Sequence, residues 1–195
     1  MFRLRIIDAI ETAHILESIT VPLQQPDNFI EIFLQPGDFY FGDVDTRIRT
    51  ILGSCVSITM WHPVRLIGGM CHYLLPTRTK KPGAPLDGRY ADEAMQMFLK
   101  EIRAARTHPA EYRVKVFGGG NMFPKIRDEL AGRPGKKHFD LDVAGKNALF
   151  ARSLITSNGF RIEAEDLGGD GHRQLIFDIW SGHAWVRKPT MSTEQ

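Results

Sequence analysis

The sequence predicts an α/β fold built around a mixed β-sheet. Three observations carry that prediction. Short β-rich runs dominate both ends of the chain, helical periodicities cluster in the middle, and Gly- and Pro-rich turns punctuate the runs. With 195 residues, 43% hydrophobic and 25% charged, the chain has the make-up of one globular domain. A chain of this length buries about two thirds of its unfolded surface without needing staples.

Residues 1–28 read as an N-terminal extension. Ile6, Ile7, Ile10, His14, Ile15 and Ile19 recur at partly helical spacing until Pro22 and Pro26 break the pattern, which fits a short docking helix or a flexible arm. The domain proper covers 29–187. It opens with a strand at 29–34 and a turn at Gln35-Pro-Gly-Asp38. Strands follow at 39–41, 47–52, 56–61 and 66–75, the last two joined by a hairpin loop at His62-Pro-Val-Arg65. Residues 77–88 form a long loop of the kind that often borders a functional site. A helix at 90–106 is predicted by Ala94, Met97, Phe98, Glu101, Ile102 and Ala105, with Asp87 as its cap. Alternation at 113–117 predicts a strand that ends in the tight turn Gly118-Gly-Gly-Asn121. Residues 121–130 suit a short helix interrupted by Pro124. A second helix at 145–158 has Leu149, Phe150, Leu154 and Ile155 as its apolar set and Gly159 as its stop. A strand at 160–164, a turn at 166–172 and a hairpin of 175–179 with 183–186 close the domain, and 188–195 is a flexible polar tail.

Composition excludes several classes of function. A formal net charge of +2 is too small to argue for nucleic acid. No apolar run approaches the roughly 18 residues of a membrane span, so no insertion is expected. The first residues mix charged with apolar side chains, unlike a secretory signal. Two cysteines make no disulfide framework, which favours a reducing, cytoplasmic setting, although a Cys55–Cys71 disulfide remains open. Basic clusters at Arg78-Thr-Lys-Lys81 and at 133–137 lie among Pro and Gly; they read as solvated loops or as a contact surface for an acidic partner.

The chemistry points to Cys55 and His72, seventeen residues apart in Gly-rich, strand-like sequence. A thiol is a weak nucleophile at its ordinary pKa of about 8.5, and an imidazole within reach can take its proton. Gly53 and Ser54 stand where a plain strand would prefer bulk, and backbone N–H groups in such a bend suit an oxyanion. Adjacent strands would carry Cys55 and His72 to a common edge, while Cys71, next to His72, would face the core. The partner for the second imidazole nitrogen is open between Asp43, Asp45 and Thr50, the last of which sits on the strand entering Cys55. Gly118-Gly-Gly-Asn121 lacks the endings of nucleotide-binding loops, and Cys55, Cys71, His62 and His72 lack metal-site spacing. No cofactor is expected.

In these residues the chain resembles the chemoreceptor glutamine deamidase family, CheD. The resemblance rests on Thr50-Ile-Leu-Gly-Ser-Cys55-Val, His62-Pro-Val-Arg65, Gly68-Gly-Met-Cys-His72-Tyr-Leu-Leu-Pro76, Lys115-Val-Phe-Gly-Gly-Gly-Asn-Met-Phe123, Gly145-Lys-Asn147, and Asp166-Leu-Gly-Gly169 through His172-Arg173. It implies a Cys–His–Thr catalytic set, here Cys55, His72 and Thr50. It implies an α/β sandwich similar to the deamidase domain of the cytotoxic necrotizing factor toxins. The activity it implies is hydrolysis of selected glutamine side chains to glutamate in methyl-accepting chemotaxis receptors, through a cysteine thioester. A CheC-type phosphatase is an implied partner, and a non-catalytic adaptor bound to that phosphatase or to a receptor is the alternative.

Overall fold

In β3 (Thr46–Leu52) every second residue, Thr46, Ile48, Thr50 and Leu52, is buried, and the residues between them are half-buried or exposed. That period of two marks a strand with one face on a core. β4 (Val56–His62) is buried along its whole length, as a central strand covered on both faces must be. Between them the chain turns at Gly53-Ser54-Cys55 and passes from one sheet to another. The computed structural model describes residues 24–122 and 143–188. The expected helix at 121–130, the basic cluster at 133–137 and most of the two expected terminal extensions lie outside those residues.

Two mixed sheets form the body. The first has the order β1-β3-β8-β9, with β1 (Ile30–Phe33) parallel to β3, and β8 (Arg173–Asp178) and β9 (His183–Arg187) antiparallel. The second has the order β2-β5-β4-β6-β7, from β2 (Phe39–Gly42), β5 (Ile67–Cys71), β6 (Arg113–Gly118) and β7 (Arg161–Leu167). Among the described residues its one parallel strand pair is β6 with β7, where α2 (Val143–Ser157) makes part of the crossover. α1 (Ala91–Ala104) and α2 cover the outer face of this second sheet.

The result is three layers and two cores. Val56, Ile58, Met60, Cys71, Tyr73, Val114 and Val116 face Phe98, Ile102, Ala151 and Ile155 of the helices. Leu34, Ile48, Leu52, Trp61, Met70, Phe117, Leu175 and Phe177 fill the space between the sheets. Each large apolar side chain fully buried there contributes about 1.5–3 kcal/mol. The Trp61 indole N–H also donates across that space to the Ile179 carbonyl at 2.7 Å.

Several element boundaries correct the sequence reading. The strand expected to run to residue 75 ends at Cys71, so His72 lies just beyond it. β7 continues to Leu167, into the expected turn. Asp87 does not cap α1: its carboxylate is taken by Arg89 at 2.6 Å. The first helical N–H groups instead donate to the carbonyls of Leu75 and Pro76, so the end of the β5 segment supplies the acceptors a side-chain cap would have offered. On α2 the buried stripe is Ala144, Asn147, Ala148, Ala151 and Ile155, whereas Leu149 is 68% exposed. Small residues let that helix lie close to the sheet, and the bulkier Leu149 is left outside. No helix among the described residues is long and apolar enough to cross a membrane.

Candidate active site

The site is assembled from both sheets. Thr50 comes from β3, on the buried side facing the second sheet. Its hydroxyl lies 2.9 Å from the Leu34 carbonyl and 2.7 Å from His72 Nδ1. A hydroxyl has one hydrogen. With that hydrogen donated to Leu34, the Thr50 oxygen accepts from Nδ1–H. The imidazole is thereby fixed as the tautomer whose Nε2 carries a lone pair. His72 is 2% exposed, and its Nε2 has no hydrogen-bond partner among the described residues. The pairing partner left open in the sequence is therefore Thr50; Asp43 and Asp45 are not bonded to the ring.

Sheet register brings Cys55 alongside. Val56 and Tyr73 exchange backbone hydrogen bonds of 3.1 and 3.0 Å, in register with Thr59 opposite Met70 on β4 and β5. Cys55 and His72 are thus diagonal neighbours on one face, with Cα atoms roughly 7–8 Å apart. Cys55 packs against the inter-sheet core, as expected for that face. Cys71 points the other way, into the helix-side core, and both cysteines are free thiols. This excludes the Cys55–Cys71 disulfide in this structure.

The electrostatics describe a neutral resting site. Burial pushes His72 down to about 4, against smaller opposing effects from the Leu34 carbonyl and Asp38. Burial also raises the Cys55 thiol above its ordinary value. At neutral pH an uncharged thiol and an uncharged imidazole face the same space, and no hydrogen bond joins them.

The backbone around Cys55 is held from beneath. Gly119 N–H donates to the Cys55 carbonyl and Gly120 N–H to the Gly53 carbonyl, both at 2.8 Å. Gly118 has φ +116, and a Cβ there would collide with the Cys55 carbonyl. The glycine run is a buttress under the Cys55 turn, and two of its N–H groups are already spent on that task. Arg173, 1% exposed, secures the neighbouring turn through the Asp166 carboxylate and the carbonyls of Asp166 and Gly168. No backbone oxygen among the described residues accepts the N–H groups of Ser54 and Cys55, and the Cys55 N–H lies against its own sulfur.

Asn147 is the residue that sequence reasoning left without a role. Its Nδ2 donates to the carbonyls of Ser54 at 3.0 Å and Leu74 at 2.8 Å, and its main-chain carbonyl accepts from the Tyr73 hydroxyl at 2.8 Å. The available signal was a polar amide on the apolar side of a helix. The loop at 77–88 borders a groove of about 540 Å³ whose other wall is Gly37–Phe39; the Asp38 carbonyl there accepts the His72 backbone N–H at 2.9 Å.

A family model described as CheD chemotactic sensory transduction matches residues 74–188, starting two residues past His72. The probable chemoreceptor glutamine deamidase CheD 3 of Dechloromonas aromatica is 47% identical over 164 residues, 84% of this chain and 91% of its own length. Its counterpart in Pseudomonas syringae pv. syringae is 47% identical over 169 residues, covering 87% of this chain and 90% of that one. A Leptospira interrogans relative, probable chemoreceptor glutamine deamidase CheD 1, is 39% identical over 167 residues, 85% of this chain and 96% of that one. Among solved structures, YlmD from Geobacillus stearothermophilus overlaps 80% of this chain and 67% of its own at 12% identity and a TM-score of 0.40, too low to bear on function.

Proposed function

Because the chain belongs to the CheD family, we propose that it hydrolyses selected glutamine side chains of methyl-accepting chemotaxis receptors to glutamate, with Cys55 as nucleophile, His72 as general base and Thr50 as the group that orients it. One observation carries the assignment of roles: Thr50 holds His72 Nδ1–H at 2.7 Å, and Nε2 is left unpartnered on the face that Cys55 shares.

The mechanism follows from that arrangement. A rotation of the Cys55 side chain brings Sγ to Nε2, which takes the thiol proton as sulfur attacks the glutamine carboxamide carbon. The S–C bond forms and the carbonyl π pair moves to oxygen, where the Ser54 and Cys55 N–H groups meet the negative charge. The oxygen lone pair returns, the C–N bond breaks, and protonated His72 gives its proton to the departing nitrogen, releasing ammonia and leaving a thioester. Water, deprotonated by the same Nε2, adds to the thioester carbon. The S–C bond then breaks to give glutamate, and the thiolate recovers its proton from His72. Because the resting pair is neutral, the first proton transfer accompanies attack rather than preceding it.

The test is ammonia release from a receptor signalling-domain fragment, with the modified glutamines located by mass spectrometry. Cys55→Ala is expected to abolish release while keeping the fold; unchanged release would remove Cys55 from the mechanism. A second reading is favoured by the absence of a bond between Cys55 and His72: a non-catalytic regulator that binds a receptor or a CheC-type phosphatase. Binding without any Gln-to-Glu conversion by the wild type would establish it.

A further inference from the structure

Resting on the reading of Cys55 as nucleophile, we propose that Asn147 is a positioning residue that aims the Cys55 N–H at the transition-state oxyanion. The peptide unit joining Ser54 to Cys55 is planar and trans, so its C=O and N–H point in opposite directions. Asn147 Nδ2 holds the Ser54 carbonyl at 3.0 Å from the α2 side. The Cys55 N–H of the same unit therefore points away from α2. No oxygen among the described residues accepts it; its contact is with the sulfur of its own residue, beside which a substrate oxygen would sit after attack.

The same amide holds the second strand. Register places Leu74 opposite Cys55, one step beyond the Val56–Tyr73 pair, and Asn147 Nδ2 donates to the Leu74 carbonyl at 2.8 Å. Beyond that pair no ladder hydrogen bond joins the two segments, so Asn147 supplies the cross-link that the sheet stops providing. Both acceptors are carbonyls, so only the amide nitrogen can face them. The side chain is 0% exposed, and the Tyr73 hydroxyl bonded to its main-chain carbonyl ties the helix to the segment carrying His72. Two hydrogen bonds donated by the Asn147 side chain, and one accepted by its main chain, thus tie this helical residue to the two short segments that hold the thiol and the imidazole.

The test compares wild type, Asn147→Ala and Asn147→Asp for turnover on the receptor fragment and for alkylation of Cys55 by iodoacetamide. Alkylation needs the sulfur but builds no oxyanion. The expected result is a kcat lowered on the order of 10²-fold with KM within about threefold, and an alkylation rate within about twofold of wild type. Asn147→Asp keeps the shape of the side chain and donates at most one hydrogen, so it separates lost donors from lost packing and decides the matter if Asn147→Ala does not fold. A folded variant with near wild-type kcat overturns the proposal. So does a fall in turnover matched by an equal fall in alkylation, or failure of both variants to fold, since either assigns Asn147 to stability alone. Cys55→Ala in the same assay keeps the two readings apart. Ammonia release surviving in Cys55→Ala removes the nucleophile and this role with it; release lost there, but normal in the Asn147 variants, removes Asn147 only.

Discussion

At the scale of single residues, Thr50 chooses which nitrogen of His72 carries the proton. Removing its hydroxyl frees the ring to adopt the other tautomer and leaves the Leu34 carbonyl without its 2.9 Å donor. Thr50→Ala is expected to lower kcat about 10²-fold, while Thr50→Ser, which keeps the oxygen, retains most of it. Steady-state kinetics on a receptor fragment checks both; a wild-type rate for Thr50→Ala would give the orienting role to another group. The two cysteines differ just as sharply. Cys71 is fully buried and its thiol is pushed up to about 12 by that burial. Cys55 is only half-buried. Native alkylation followed by peptide mass mapping is expected to label Cys55 and leave Cys71 unmodified.

Among the elements, the 77–88 loop depends on one carboxylate of α1. Glu93, 1% exposed, accepts from Arg78 at 2.6 and 3.1 Å and from the Asp87 backbone N–H at 2.9 Å, with Lys80 at 3.5 Å. Arg78 beside it holds that carboxyl below its ordinary range. Glu93→Ala removes the shared anchor and is expected to cost about 1–3 kcal/mol and to speed tryptic cleavage after Arg78 or Lys80 by about tenfold. Unaltered cleavage would mean that the loop is held by other contacts. What the sequence made legible here follows from what each element buries. β3 alternates because one face meets a core, whereas β6 meets the helix-side core with Val114 and Val116 and the inter-sheet core with Phe117; the extents of both were readable to within a residue. The buried side of α2 was misread because it is built from alanines and one amide, and a reading that weights bulk selects Leu149. The acceptors at the start of α1 come from Leu75 and Pro76, which no local motif announces.

On the scale of the whole molecule, pH links the site to stability. His72 is held near 4 in the fold against 6.5 when free. As pH falls, the unfolded chain takes up this proton first, so the contribution is complete above 6.5 and is lost progressively down to about 4. The loss is on the order of 3 kcal/mol. Urea denaturation at stepped pH is expected to show a steeper decline across that window for wild type than for His72→Gln; equal slopes would refute the buried neutral imidazole. Of the proposed catalytic trio, Cys55 and His72 were legible as residues seventeen apart in Gly-rich, strand-like sequence, whereas Thr50 was one of three open candidates that only the family resemblance singled out. The trio's division between two sheets was not legible, since neither strand's own pattern says which sheet it joins.

That division has a further consequence. The oxygen that steers the imidazole is carried by one slab of the sandwich, and the ring and sulfur by the other. Turnover therefore gauges the seam between the slabs: a slip of a few tenths of an ångström there would silence the enzyme while every ladder of hydrogen bonds, and the melting curve, stayed as they were.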